Sequence, residues 1–284
     1  MRDVSVTLPD GRVLAYTDLG ASSGPVVMYF HGAPSSRLDL SFFDGELAAR
    51  DVRVISADRP GYGRSSPHPG RGWEDWPADV ASLADHVGVE RFAVLGLSSG
   101  APYAVATAAL LPDRVAGACV VGGETDFGWA GAWDDYPEDE GALMRIGDEV
   151  QGAAWCQARY GPDGSRFTEG GFGGLTPADE AVLGDEAFVA AMVTTMGEAF
   201  RQGVGGYAHD IVIQGRPWSF DPRSIVAPVW VHHGEQDTLT PLAHGRHTAE
   251  LIPGSTLVVW PDHGHISLIT KLPEFAAETV SALR

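Results

Sequence analysis

The chain has 284 residues, enough for one large α/β domain with an inserted segment and a substantial core. Its formal net charge is −19, a surface that repels nucleic acid and anionic membranes and favours solubility. No apolar run approaches the roughly 20 residues needed to span a bilayer, and Met1-Arg2-Asp3-Val4-Ser5-Val6 enters strand-like alternation without a signal-peptide core. A soluble, cytoplasmic protein is the expectation. Lys271 is the single lysine, while arginine, alanine and glycine abound, a mark of high-GC coding rather than of function. The two cysteines have no metal or disulfide-framework spacing: Cys119 lies in an apolar strand and reads as a buried core thiol, Cys156 lies in an expected helix of the inserted segment, and neither is expected to be catalytic.

The elements follow in chain order. Val4–Leu8 and Val13–Tyr16 alternate around the turn Pro9-Asp10-Gly11-Arg12 and form a β-hairpin. Pro25–Phe30 reads as a buried strand, Leu40–Arg50 as a helix, Val52–Ala57 as a strand and Trp73–Val87 as a helix. Phe92–Leu95 is an apolar strand, and Ala101–Leu111 is a helix stopped by Pro112. Val115–Val121 is the sixth strand. After about residue 221 the alternation resumes with strand Val229–His232, helix Pro241–Leu251, strand Thr256–Trp260 and a terminal helix Ile269–Leu283. Alternation of this kind predicts a mostly parallel sheet with helices on both faces.

Residues 123–220 break the rhythm. They hold 17 acidic side chains against 5 arginines and are rich in glycine and tryptophan. Thr176-Pro177-Ala178-Asp179-Glu180 is a helix start, with a capping threonine, a proline in the first turn and acids behind it. Phe188, Met192, Thr195, Met196, Ala199 and Phe200 then recur at helical spacing. The expected organisation is a core of 1–122 and 221–284 with a mainly helical lid of 123–220.

The chemistry centres on Gly96-Leu97-Ser98-Ser99-Gly100, between an apolar strand and a helix. A G-x-S-x-G at that junction makes a sharp turn that projects the serine hydroxyl next to unpaired helix N–H groups. Ser98 then needs a base, an orienting acid and oxyanion donors. Asp237, just beyond the Val229 strand, is favoured as the acid over Glu235, Glu124 and Asp126. His265, in Pro261-Asp262-His263-Gly264-His265, is favoured as the base over His263, because Gly264 allows a tight loop. The N–H groups of Ser99 and Ala33 are the expected oxyanion hole. His31, Trp129, Trp133, Met192 and Met196 are candidates for substrate contact, with Tyr136 and Trp155 as further aromatic walls. His31 also has a structural reading in its loop, and Arg37 reads as a solvated helix residue ahead of a cation at the site edge. His232 and His233 read as a strand-end packing pair.

These motifs together resemble the α/β-hydrolase superfamily over nearly the whole chain. The resemblance rests on His31-Gly32, the Asp58-Arg59-Pro60-Gly61-Tyr62-Gly63-Arg64-Ser65 turn, the Ser98 elbow, Asp237 and Gly264-His265 in order. It implies the α/β-hydrolase fold and a serine hydrolase that cleaves a carboxylic ester or related acyl bond through an acyl-enzyme. A serine in the elbow speaks against the aspartate-nucleophile dehalogenases and epoxide hydrolases. The elbow also differs from that of the proline iminopeptidases. The same triad serves carbon–carbon bond hydrolases, perhydrolases and lyases, and a non-enzymatic ligand-binding role is the third reading. Neither G-x-x-x-x-G-K-[ST] nor H-E-x-x-H occurs, so catalysis on a small-molecule substrate without cofactor or metal is expected. Neither a nucleic acid nor a membrane is an expected partner.

Overall fold

The structure, a computed structural model, describes residues 1–167 and 175–283. The chain begins with β1 (Arg2–Thr7), β2 (Val13–Gly20) and β3 (Val26–Phe30), then α1 (Asp44–Ala49) and β4 (Arg53–Ala57). α2 (Asp75–His86), β5 (Phe92–Leu97), α3 (Ala101–Leu110) and β6 (Val115–Val121) follow. The sheet has eight strands in the order β1-β2-β4-β3-β5-β6-β7-β8, with β7 at Val229–Gly234 and β8 at Thr256–Trp260. β2 pairs antiparallel with β1 and β4, and every later pairing is parallel. β3, β5 and β6 are buried at every residue, which explains their unbroken apolar sequences: both faces of a parallel sheet are covered. Trp76 and Val80 of α2 and Tyr103 of α3 pack one face. Leu47 of α1 and residues near the C-terminus, Leu272, Phe275 and Ala276, pack the other.

Between β6 and β7 the chain forms α4 (Glu138–Ile146), α5 (Glu149–Tyr160), α6 (Pro177–Leu183), α7 (Glu186–Ala199) and α8 (Gly205–Gln214). Thr176 caps α6 as its sequence suggests: its side chain accepts from Asp179 N, while Asp179 accepts from Thr176 N. α4, α5 and α8 share a small core of Leu143, Met144, Cys156, Tyr207 and Ile211. After β7 come α9 (Leu242–Leu251), α10 (His265–Ile269) and α11 (Leu272–Thr279).

Two helices differ from the sequence reading. The Leu40–Arg50 helix is a 3-10 turn at Ser41–Phe43 followed by the short α1. The single terminal helix is broken into α10, α11 and a 3-10 turn at Val280–Leu283. Pro273 has no N–H to give to a preceding turn, so it is accommodated at the start of a new helix. The break makes His265 the first residue of α10 instead of a loop residue.

The insertion is stitched to the sheet by buried charge. Asp210 of α8 accepts from Arg59 Nε at 2.6 Å, Arg71 at 2.5 Å and the Tyr103 hydroxyl at 2.8 Å. Asp179 of α6 accepts from Ser267 N at 2.7 Å, fixing the insertion against the helix that begins at His265.

Candidate active site

β5 ends at Leu97, and Ser98–Gly100 form a single 3-10 turn before α3. Ser98 has φ +51°, a left-handed conformation that non-glycine residues seldom adopt and that stores strain at functional turns. The flanking glycines are required by close approach. A Cβ on Gly96 would lie 2.3 Å from the Gly100 carbonyl oxygen, and one on Gly100 would lie 2.1 Å from the Phe30 carbonyl oxygen. The turn is therefore packed directly onto the end of β3, whose continuation is the His31–Ser36 loop.

Asp237 and His265 meet beyond the ends of β7 and β8. His265 Nδ1 lies 2.7 Å from Asp237 Oδ2. The other carboxylate oxygen of Asp237 accepts from Thr240 N at 2.8 Å and Leu239 N at 3.0 Å. Burial works against this carboxylate, but His265 and these donors hold its pKa below the usual range. Burial likewise works against a charged His265, and Asp237, Glu124 and Glu140 outweigh it, raising the imidazole pKa to about 9. Of the rivals weighed from the sequence, Glu235 is exposed, Asp126 accepts from Gly128 N and Trp218 N, and His263 packs against Trp260. His233 is fully buried, with Nε2 2.8 Å from the Thr240 carbonyl. His232 stacks on Phe275, in keeping with a packing role.

Ser98 and His265 line one cavity of about 700 Å³. Ala33, Met192 and Met196 line it too. Phe42, Phe188, Leu239, Ile266 and Ile269 give it an apolar side. Glu124, Glu140 and Asp139 stand on its walls, with Arg159 and Arg166. Arg159 is ion-paired with Asp139, and Arg166 donates to the Ala158 carbonyl.

Five residues expected to touch substrate or wall the pocket, His31, Trp129, Trp133, Tyr136 and Trp155, do not line this cavity. His31 is fully buried, accepting from Arg59 N at 3.2 Å and donating to the Gly32 carbonyl at 2.7 Å. Burial and the neighbouring Arg59 hold its pKa well below that of a free histidine, so it serves as a neutral brace for the loop. Trp129 lies outside, stacked on His247 at 4.1 Å between ring centroids. Trp133 is held within the insertion, donating to the Phe127 carbonyl with the Arg145 guanidinium over its ring. Trp155 packs against Tyr160 within the insertion. Arg37 is neither solvated nor at the site: it is 3 % exposed and pairs with Asp58, Asp3 and Glu198. Asp58 also accepts from Arg37 N and Arg64 N, giving the Asp58–Ser65 turn a structural role.

Phe42, Leu239, Ile266 and Ile269 were not singled out from the sequence. Phe188 belonged to the helical stripe, but nothing local marks which residue of such a stripe faces a cavity.

An eight-stranded, mostly parallel sheet, with a strained serine at the end of β5 and a histidine–aspartate pair beyond β7 and β8, defines an α/β enzyme of the hydrolase type. The family model of the alpha/beta hydrolase family matches residues 27–280, and the chain belongs to that family. It is 26% identical to a bifunctional esterase/perhydrolase of Acinetobacter calcoaceticus, covering 97% of this chain and 96% of the relative. It is 29% identical to a non-heme chloroperoxidase of Streptomyces lividans, covering 93% and 94%. Among solved structures, a thermophilic esterase from Thermogutta terrifontis, malate bound, superposes with a TM-score of 0.72 at 26% identity, covering 100% of this chain and 98% of that one. Among the described residues no helix is long and apolar enough to cross a membrane.

Proposed function

We propose that this chain is a serine hydrolase that cleaves a carboxylic ester of a small to medium molecule through an acyl-enzyme on Ser98. The observation that carries the reading is the 2.7 Å His265–Asp237 contact in the wall of the cavity that also holds the strained Ser98. Ser98 Oγ attacks the acyl carbon while neutral His265 takes its proton through Nε2. Asp237 fixes the tautomer by accepting from Nδ1 and stabilises the imidazolium that forms. The N–H groups of Ala33 and Ser99 face the developing oxyanion. Collapse of the tetrahedral adduct expels the alcohol, which takes the proton from His265. Water, deprotonated by His265, then attacks the ester of Ser98 and releases the acid. Residues 123–220 act as the lid over this chemistry, and Met192 and Met196 contact substrate from it. The protein works as a soluble, cytoplasmic enzyme without a cofactor.

A p-nitrophenyl ester series varied in acyl length tests this directly. Wild type turns over the series, and Ser98→Ala loses about a thousandfold or more in kcat. Retained turnover in the variant removes Ser98 from the chemistry.

A second reading is favoured by the names of two relatives, one an esterase/perhydrolase and one a chloroperoxidase. Hydrogen peroxide in place of water would attack the same acyl-enzyme, its O–O bond intact, giving a peracid and regenerated Ser98. Bromination of monochlorodimedone in acetate, bromide and peroxide, the peracid oxidising bromide to the brominating species, is the result expected of that reaction, and it should be lost in Ser98→Ala.

A further inference from the structure

The cavity contains a carboxyl that the hydrolytic cycle does not use. Glu124 follows β6, is 3 % exposed and lines the same cavity as Ser98 and His265. Its Oε1 accepts from the Ser99 hydroxyl at 3.2 Å and lies 3.4 Å from the Tyr136 hydroxyl. Its Oε2 is buried and has no hydrogen-bond partner. A buried carboxylate oxygen left without a donor is costly, so its retention calls for a function. On the facing helix α4, Glu140 accepts from the Tyr136 hydroxyl at 3.2 Å and from the Tyr207 hydroxyl at 3.4 Å. Tyr136 thus stands between two carboxyls, one from the sheet and one from the insertion. Among the described residues neither carboxyl forms a salt bridge. Asp210, in contrast, is matched by two arginines.

We infer that Glu124 and Glu140 form a subsite for a protonated amine carried by the substrate of Ser98. An ammonium supplies N–H donors for the orphaned Oε2 and a lasting positive charge for two carboxyls whose electrostatic partner in the cavity, His265, must be neutral for hydrolysis. The apolar part of the lining, with Phe42, Phe188, Met192 and Ile269, takes the uncharged arm. The substrate class is therefore an ester with an apolar group on one side of the scissile bond and a primary or secondary amine on the other. Burial, and after it the neighbouring Glu140, push the Glu124 pKa up to about 7 against the opposing pull of His265 and the Ser99 hydroxyl.

This inference rests on the esterase reading, and matched substrates separate the two. Alkyl butyrates are compared with ω-aminoalkyl butyrates of equal chain length. On the acyl side, p-nitrophenyl alkanoates are compared with their ω-amino counterparts, each –CH3 replaced by –NH3⁺. Turnover of the neutral esters tests the esterase reading alone. The ratio of kcat/KM, amino over neutral, tests the subsite. In wild type one of the two series gives a ratio above one by about tenfold or more, the size of a charge-assisted hydrogen bond. The ratio falls towards or below one in both Glu124→Gln and Glu140→Gln. A wild-type ratio at or below one in both series overturns the subsite without touching the esterase reading. So does a ratio unchanged in the two variants, the result expected if the carboxyls only join the insertion to the sheet. The wild-type ratio requires no variant to fold.

Discussion

Asp210 and Glu124 are both buried carboxyls where the insertion meets the sheet, and they are solved in opposite ways. Asp210 lies between Arg59 and Arg71, accepts a third hydrogen bond from Tyr103 and does not line the cavity. Burial opposes its charge, but the arginines win, lowering its pKa to about 2. Glu124 accepts from the Ser99 hydroxyl, shares the Tyr136 hydroxyl with the neighbouring carboxyl of Glu140, and faces the cavity. The same chain can therefore satisfy a buried carboxylate when the purpose is to hold two elements together. Leaving one short of partners beside Ser98 marks the place where a ligand completes the set.

The largest expected effect comes from breaking the matched site. Asp210→Asn leaves two buried guanidinium groups without their counter-charge and should cost about 3–5 kcal/mol of unfolding free energy in urea titrations. A loss below about 1 kcal/mol would erase the distinction between the two carboxyls. The pH dependence follows from the sign of the shift. A carboxyl held at about 2 when folded stabilises the protein fully above the ordinary carboxylate range, near 4. That contribution disappears as pH falls from about 4 towards 2. Over that window the wild type should lose stability more steeply than Asp210→Asn.

Glu124→Gln sharpens the contrast with a smaller effect. Replacing an unmatched carboxyl by a neutral amide should change stability by less than about 1 kcal/mol. The variant should instead act on His265. Hydrolysis needs the neutral imidazole, so kcat/KM in wild type should rise with pH through the His265 pKa of about 9. Glu124 is one of the three carboxyls that raise that pKa; removing its charge makes protonation less favourable, and the acid limb should move to lower pH. Glu140 and Asp237 remain in the variant, so the limb stays above a free histidine's. A limb that does not move, or moves upward, contradicts the coupling between Glu124 and His265.

The sequence made the chemistry more legible than the pocket, for a physical reason. The elbow is a local device: two glycines without Cβ atoms, a serine and an abrupt change from period two to helix are all written within ten residues. Asp237 and His265 are marked similarly by the strand ends they follow. The pocket walls depend on how α4 to α8 fold back over the sheet, and no local pattern states that. Trp129 and Trp133 looked like walls because they are large aromatic residues of the segment expected to cover Ser98, yet one lies against His247 and the other against Phe127 and Arg145. Glu124 drew notice as a rival acid because it follows β6, but its pairing with Tyr136 and Glu140 exists only once α4 is docked. Arg37 misled for the opposite reason: a charge taken for a helix residue reads as solvated until Asp58 and Asp3 are brought around it.

The most direct measurement is intact-protein and peptide mass spectrometry after treatment with a fluorophosphonate, which reacts with a serine only when a base activates it. One adduct per chain is predicted, on Ser98 within the peptide containing Gly96-Leu97-Ser98-Ser99-Gly100, and it should be absent in Ser98→Ala and strongly reduced in His265→Ala. An unlabelled Ser98 in folded wild-type protein, or labelling that survives Ser98→Ala, would contradict the assignment of Ser98 as the nucleophile.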